Sequence, residues 1–168
     1  EKQKEVSAIR ALGISIELAD VVENTVEQLA AVLSRFDTVI SCVGFAAGRG
    51  TQRKLAEAAL KSGVKRYLPW QFGVDYDEIG RGSPQDLFDE QLDVREMLRA
   101  QSRTEWLIIS TGMFTSFLFD QAFGVVDLPN GRVNALGSLE TSVTVTTPED
   151  IGSLTAAIVL QRPRIVDQ

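Results

Sequence analysis

Apolar and polar positions along this chain change period several times, and each change marks a predicted element. Residues 1–12 read as the end of a helix whose exposed side is Glu1-Lys2-Gln3-Lys4-Glu5, with Gly13 as its stop. Ile14-Ser15-Ile16-Glu17-Leu18 alternates with the two-residue period of a strand. Asn24 stands three residues before Glu27, the spacing of a capping box, and Val26, Leu29, Ala30 and Leu33 then recur along one helical face. Thr38–Val43 is a short apolar run rich in β-branched residues, the pattern of a buried parallel strand. A helix is expected over 51–62 with Gly63 after it, a strand over 66–69, a helix over 85–101 and a third apolar strand over 106–110. Strands alternating with helices of this length predict βαβ units and a parallel sheet covered on both faces.

Beyond Thr111 the texture changes. Phe114, Phe117, Phe119 and Phe123 crowd a short stretch, and Leu128-Pro129-Asn130-Gly131-Arg132 carries the Asn-Gly signal of a hairpin. Ser142–Thr146 reads as a strand. Thr147-Pro148-Glu149-Asp150 then has the order of a helix start: a capping threonine, proline at the first helical position, acids in the first turn. The expected division is a core over 1–114 and a segment over 115–168 packed on it within one domain.

Composition narrows the chemistry. The chain has 168 residues and a formal charge of −6, which argues against nucleic acid or an anionic membrane as partner. Histidine is absent, which removes Ser-His-Asp and Cys-His machinery and the commonest metal ligand. One cysteine, Cys42, excludes an internal disulfide and fits a reducing, cytoplasmic compartment. It lies in an apolar run and is expected to be a small buried hydrophobe. The chain does not open on Met, and a piece of a longer protein is expected.

Four features could carry chemistry. Gly44-Phe45-Ala46-Ala47-Gly48-Arg49-Gly50 follows a strand and opens a helix, as a phosphate loop does. Its spacing is not G-x-G-x-x-G and no acid ends a strand about 20 residues on, so it fits better a later strand end lining a cofactor crevice. Gln91 falls within the stripe Leu87, Val94, Leu98, where an amide must be hydrogen-bonded; it either bonds a neighbouring loop or faces the crevice. The phenylalanine cluster can line a pocket for an aromatic substrate, or serve as core or interface. The acids from Asp75 to Asp93 match no calcium loop and read as a solvated surface.

The run Val64-Lys65-Arg66-Tyr67-Leu68-Pro69-Trp70-Gln71-Phe72-Gly73 resembles the loop after the fifth strand of the NmrA-like and isoflavone-reductase-like proteins, atypical members of the short-chain dehydrogenase group. Phe36–Gly44 resembles their fourth strand, Phe88-Asp89-Glu90-Gln91 the segment that carries their catalytic lysine, Ser110–Phe114 their substrate-side loop, and Thr147–Gly152 their late strand-to-helix junction. The resemblance implies a Rossmann-like parallel sheet whose N-terminal glycine-rich strand–loop–helix precedes this chain. It implies NAD(P) binding, NADP(H) favoured over NAD(H), with Asp20 and Val21 at adenine, Val43, Gly44 and Phe45 along the dinucleotide, and Pro69, Trp70, Gln71 and Phe72 at the nicotinamide. Gly112, Met113, Phe114 and Phe117 would line the substrate side, and Gln91 would stand at the catalytic position. The implied activity is reduction of a small aromatic or unsaturated metabolite; the alternative is a non-catalytic NAD(P)-binding regulator with a protein partner. Two departures stand out. Reductases of the family often read Pro-Ser-Glu-Phe-Gly where this chain has Pro69–Gly73, and they carry lysine where it has Gln91. Glutamine exchanges hydrogen bonds and transfers no proton at neutral pH.

Overall fold

In the computed structural model, residues 2–135 and 137–167 are described. The elements follow in the order α1 (Lys2–Ala11), α2 (Val26–Leu33), β1 (Thr38–Ile40), α3 (Thr51–Ser62), β2 (Arg66–Leu68), α4 (Tyr76–Ile79), α5 (Leu87–Arg99) and β3 (Glu105–Trp106). Then come β4 (Met113–Phe114), β5 (Val126–Asp127), β6 (Arg132–Val133), β7 (Val145–Thr146) and α6 (Pro148–Leu160). Strands β1, β2 and β3 form a parallel sheet in that order, with Val39 opposite Tyr67 and Tyr67 opposite Trp106.

Side chains of a strand alternate between faces, and β2 shows what each face carries. Tyr67 points into a cluster with Ala56 and Ala59 of α3, Val94 and Leu98 of α5, and Trp106. The alanines have no exposed surface, and their small side chains let α3 lie close to the sheet. Burial also pushes the Tyr67 hydroxyl above its ordinary pKa. Arg66 and Leu68 point to the other face. The buried Arg66 guanidinium donates to the carbonyls of Val159, in the last turn of α6, and Ile165, at 3.1 and 2.8 Å. A cation at a helix C-terminus satisfies orphan carbonyls and the dipole together. Helices thus cover both faces, as expected.

Several boundaries move. Residues 14–18 form no strand and are largely exposed; alternation alone supplies no partner edge. The cap of α2 is Thr25 rather than Asn24: its side chain accepts from the Gln28 amide, and Gln28 reaches back to the Thr25 amide at 2.9 Å. Cys42 is exposed, not buried, because it lies beyond β1 on an apolar groove lined also by Ile40, Pro148, Ile151 and Phe72. The hairpin around Asn130-Gly131 is present as β5 and β6, and Thr147 caps α6 with Pro148 at its start. Strand β7 pairs parallel with β4, placing Met113 opposite Val145.

Candidate functional site

The loops at the carboxyl ends of β1 and β2 meet the segment after β3 around a cavity of about 620 Å³. That is the size of a small-molecule pocket. Its lining is aromatic: Phe45, Trp70, Phe72, Tyr76, Phe88, Phe114, Phe117 and Phe123, with Gly44, Gly112 and Met113 between them. Phe45 stands edge-on to Trp70 at 4.7 Å, and Phe117 stacks on Phe123 at 4.5 Å with planes 12° apart. Among the described residues no charged residue lines it, and Gln85, Tyr76 and Trp70 are the lining residues with a polar side-chain group.

Backbone geometry sets these walls. A β-carbon on Gly44 would lie 3.2 Å from the Trp70 indole, closer than ordinary contact, so glycine gives the ring room against the β1 loop. Gly112 has φ +69° and donates to the Gly73 carbonyl at 2.8 Å, while Met113 donates to Thr144 at 3.0 Å. A side chain at Gly112 would collide with Thr144, so this glycine permits both the left-handed turn and the close approach that ties β4 and β7 to the β2 loop.

Of the residues singled out in the sequence, Gly44, Phe45, Trp70, Phe72, Gly112, Met113, Phe114 and Phe117 share this cavity. The others stand elsewhere. Pro69 is buried at the end of β2. Val21 and Val43 pack on the cluster of Leu29, Ala30, Leu55 and Ala58 between α2 and α3. Asp20 is exposed, and the amides of Glu23 and Val22, donating at 3.0 and 2.8 Å, hold its carboxyl below the usual range.

Gln91 and Gln71 have no exposed surface and lie beneath the cavity rather than on it. Gln71 Nε2 donates to Gln91 Oε1 at 2.7 Å and to the Gln91 carbonyl at 3.2 Å. The two departures from the family motif are therefore one contact. Gln91 Nε2 has no hydrogen-bond partner among the described residues. Burial pushes the Tyr76 hydroxyl up to about 12, opposed by the neighbouring Gln91 amide and Arg95. At neutral pH it is a hydrogen-bond donor and not an ionising acid.

Glu90, grouped in the sequence with the solvated acids between Asp75 and Asp93, is not at the surface. Its carboxylate is buried and accepts from the amides of Gly50 at 2.9 Å, Gln52 at 2.8 Å and Arg53 at 3.2 Å. These are the orphan N–H groups of the first turn of α3, so the anion position after the glycine loop is filled from within the protein. That loop offers these donors to no diphosphate. Sequence reasoning missed Arg95. Both are charged residues on the buried side of α5, and a hydrophobic stripe gives no signal for them.

A model of the NmrA-like family matches residues 1–167. The chain is 50% identical over 168 residues, all of its length, to an NmrA-like family domain-containing oxidoreductase of Gibberella moniliformis, of which it covers 55%. It is 28% identical to an isoflavone reductase homolog of Solanum tuberosum over 158 residues, 92% of this chain and 50% of that protein. Among solved structures, isoflavone reductase superposes with a TM-score of 0.75 at 21% identity, over 99% of this chain and 54% of the other. The structure described as AtPrR2 with NADP+ and (+)pinoresinol gives 0.71 at 19%, over 99% and 55%. These structural likenesses show a shared Rossmann-like fold. The chain spans about half the length of the relatives it matches.

Proposed function

The chain belongs to the NmrA-like family, and on that footing we propose that it is part of an NAD(P)-dependent reductase of the isoflavone-reductase-like type acting on a small, neutral, aromatic or unsaturated metabolite. One observation carries the reading: the uncharged aromatic cavity at the carboxyl ends of the parallel strands, where open α/β sheets bind their ligands. The structural neighbour described as AtPrR2 was solved with NADP+ and (+)pinoresinol, and we take the same kind of pairing, with NADP(H) favoured, for this chain.

The residues present fit one end of such a cofactor. Trp70, Phe45 and Phe72 offer flat faces to a nicotinamide ring, and Gly44 allows close approach. On this reading Val43, Val21 and Asp20, outside the cavity, would serve the adenine end. The amides of α3 do not fit the diphosphate, because Glu90 holds them. When bound, the nicotinamide supplies hydride. The chain's own contribution is to exclude water with its aromatic walls, to hold a flat substrate against Phe114 and Phe117, and to offer the Gln85 amide to a polar group. With glutamine at 71 and 91, the proton comes from water or the substrate.

The neutral Gln71–Gln91 pair favours a second reading, a cofactor-sensing regulator that binds a protein partner. An NADPH titration followed through Trp70 fluorescence, with a turnover assay on aromatic enones, separates the readings. Saturable quenching with oxidation of NADPH supports the reductase. Quenching without turnover across a broad panel supports the sensor, and no binding of NADPH or NADH removes both.

A further inference from the structure

Under the aromatic wall runs a chain of buried polar groups that the chemistry above leaves unused. Arg95 is 4% exposed and lies one turn after Gln91 on α5. Its Nε–H donates to Gln71 Oε1 at 2.9 Å, and its Nη1 donates to Asp75 at 3.0 Å and Asp77 at 2.5 Å. Arg99 holds Asp77 from the other side at 2.9 and 2.6 Å. The Arg95 guanidinium also lies 5.3 Å from the centre of the Tyr76 ring.

The direction of this chain is fixed by donor and acceptor chemistry. A guanidinium only donates, so Gln71 must turn its oxygen to Arg95 and its NH₂ to Gln91. The two aspartates hold the guanidinium, the guanidinium holds the amide, and the amide holds the backbone between Trp70 and Phe72. Side chains of an extended segment alternate. With Gln71 pinned beneath the floor, its two neighbours stand on the cavity side, where both are found.

We infer that Arg95 is a positioning residue for the ligand site: through its Nε–H bond to Gln71 it sets where Trp70 and Phe72 stand. This rests on the cavity being the ligand site. The role needs the geometry of arginine and not its charge, because a lysine ammonium cannot span Gln71, Asp75 and Asp77 as a planar fork does.

The test is ¹⁹F NMR of the unliganded protein carrying 5-fluorotryptophan, with the Trp70 resonance assigned by its loss in Trp70→Phe and Trp106, in the core, as internal control. In Arg95→Lys the Trp70 signal is expected to shift and broaden while that of Trp106 stays in place. Asp77→Asn, which leaves Asp75 and the Gln71 bond intact, is expected to move neither. Affinity for a neutral aromatic probe, 2-naphthol, should fall roughly tenfold in Arg95→Lys, the equivalent of about one hydrogen bond. An unmoved Trp70 signal in a folded Arg95→Lys protein overturns the inference. If that variant does not fold, the wild-type protein decides: an Arg95 Nε–H protected from hydrogen exchange supports the role, and exchange at the rate of free arginine overturns it. If 2-naphthol binds neither protein, the cavity loses its standing as the ligand site, while the unliganded Trp70 signal still decides whether Arg95 positions the wall.

Discussion

The Gln71–Gln91 contact makes a quantitative prediction. Take Gln91→Lys first. The site has no exposed surface, the Gln71 oxygen it could use is already bonded to the Arg95 cation, and the carboxylates of Asp75 and Asp77 are engaged by arginine. An ammonium placed there is desolvated and uncompensated, which costs about 3–5 kcal/mol. Gln71→Glu is milder. Its carboxylate still accepts from Arg95 Nε, now with charge assistance, and Gln91 can turn its amide so that the partnerless Nε2 becomes the donor, but the bond that Gln71 Nε2 gives the Gln91 carbonyl is lost. That change should cost about 1–2 kcal/mol. In the double variant the two charges meet where the amides now stand 2.7 Å apart, and the coupling between the substitutions should reach about 2–3 kcal/mol.

Urea unfolding of the four proteins at pH 7 yields that coupling. A pH series adds a second signature. A buried lysine has its pKa lowered, so between the folded and the unfolded value the unfolded chain binds more protons and stability rises with pH. The Gln91→Lys protein should therefore recover stability from neutral toward about pH 10, the ordinary lysine value. The double variant, with its lysine paired, should not. If Gln91→Lys is as stable as the parent at every pH, the side chain reaches solvent in the crevice and the burial argument fails. A coupling near zero would mean that the two positions depart from the motif independently.

Other consequences follow from single groups. Glu90→Ala leaves three amides of α3 without their acceptor, so it should destabilise the protein by about 2–3 kcal/mol in urea unfolding, with Glu90→Gln losing less. The chain has two tyrosines, both with raised pKa values. Phenolate absorbance should therefore stay flat through pH 10 and appear only as the pH approaches 12 or the protein unfolds. Because the unfolded chain loses these protons first, stability should fall as pH rises above 10. Arg99, then Arg95, hold the Asp77 carboxyl well below the usual range, so its contribution is intact above the ordinary carboxylate pKa and lost only in strong acid. An acid titration of Asp77→Asn should lack that limb. Gly112→Ala should be severely destabilising in thermal melts, since it meets both a left-handed φ and the Thr144 carbonyl.

Much of the fold was legible because buried elements leave periodic traces. The runs behind β1 and β2, the helix α3 between Gly50 and Gly63, the apolar stripe of α5, the Asn-Gly hairpin and the Thr-Pro start of α6 all follow from local chemistry. Ile14–Leu18 was not legible, because alternation is necessary for a strand but pairing makes one. The one-residue shift of the α2 cap shows the same limit: Asn24 and Thr25 are both good caps, and tertiary placement chose between them. The family resemblance groups the aromatic residues and glycines of the strand-end loops, and they line one cavity. The charged residues under them were not legible. Helical periodicity marks what is apolar on a buried face, whereas Glu90 and Arg95 are buried charges whose partners lie 37 to 40 and 18 to 24 residues away.

These buried charges also bear on what the two glutamines mean. A lysine at 91 facing a glutamate at 71 would put an ion pair beside Arg95, and the three charges would together add +1 to a buried floor. Two glutamines keep the hydrogen bond, keep the acceptor that Arg95 requires and remove two charges from a site without exposed surface. The scaffold under Trp70 and Phe72 thus needs neither a lysine nor a glutamate at these two positions. Replacing either residue alone costs a group its partner: a lysine alone at 91 meets an amide oxygen already bonded to Arg95, and a glutamate alone at 71 sets a carboxylate oxygen against the Gln91 carbonyl, so a paired change avoids a penalty that either single step carries. The aromatic cavity and its supporting network are then separable from proton transfer, and that separation is why ligand binding and turnover have to be measured as two independent quantities in this protein.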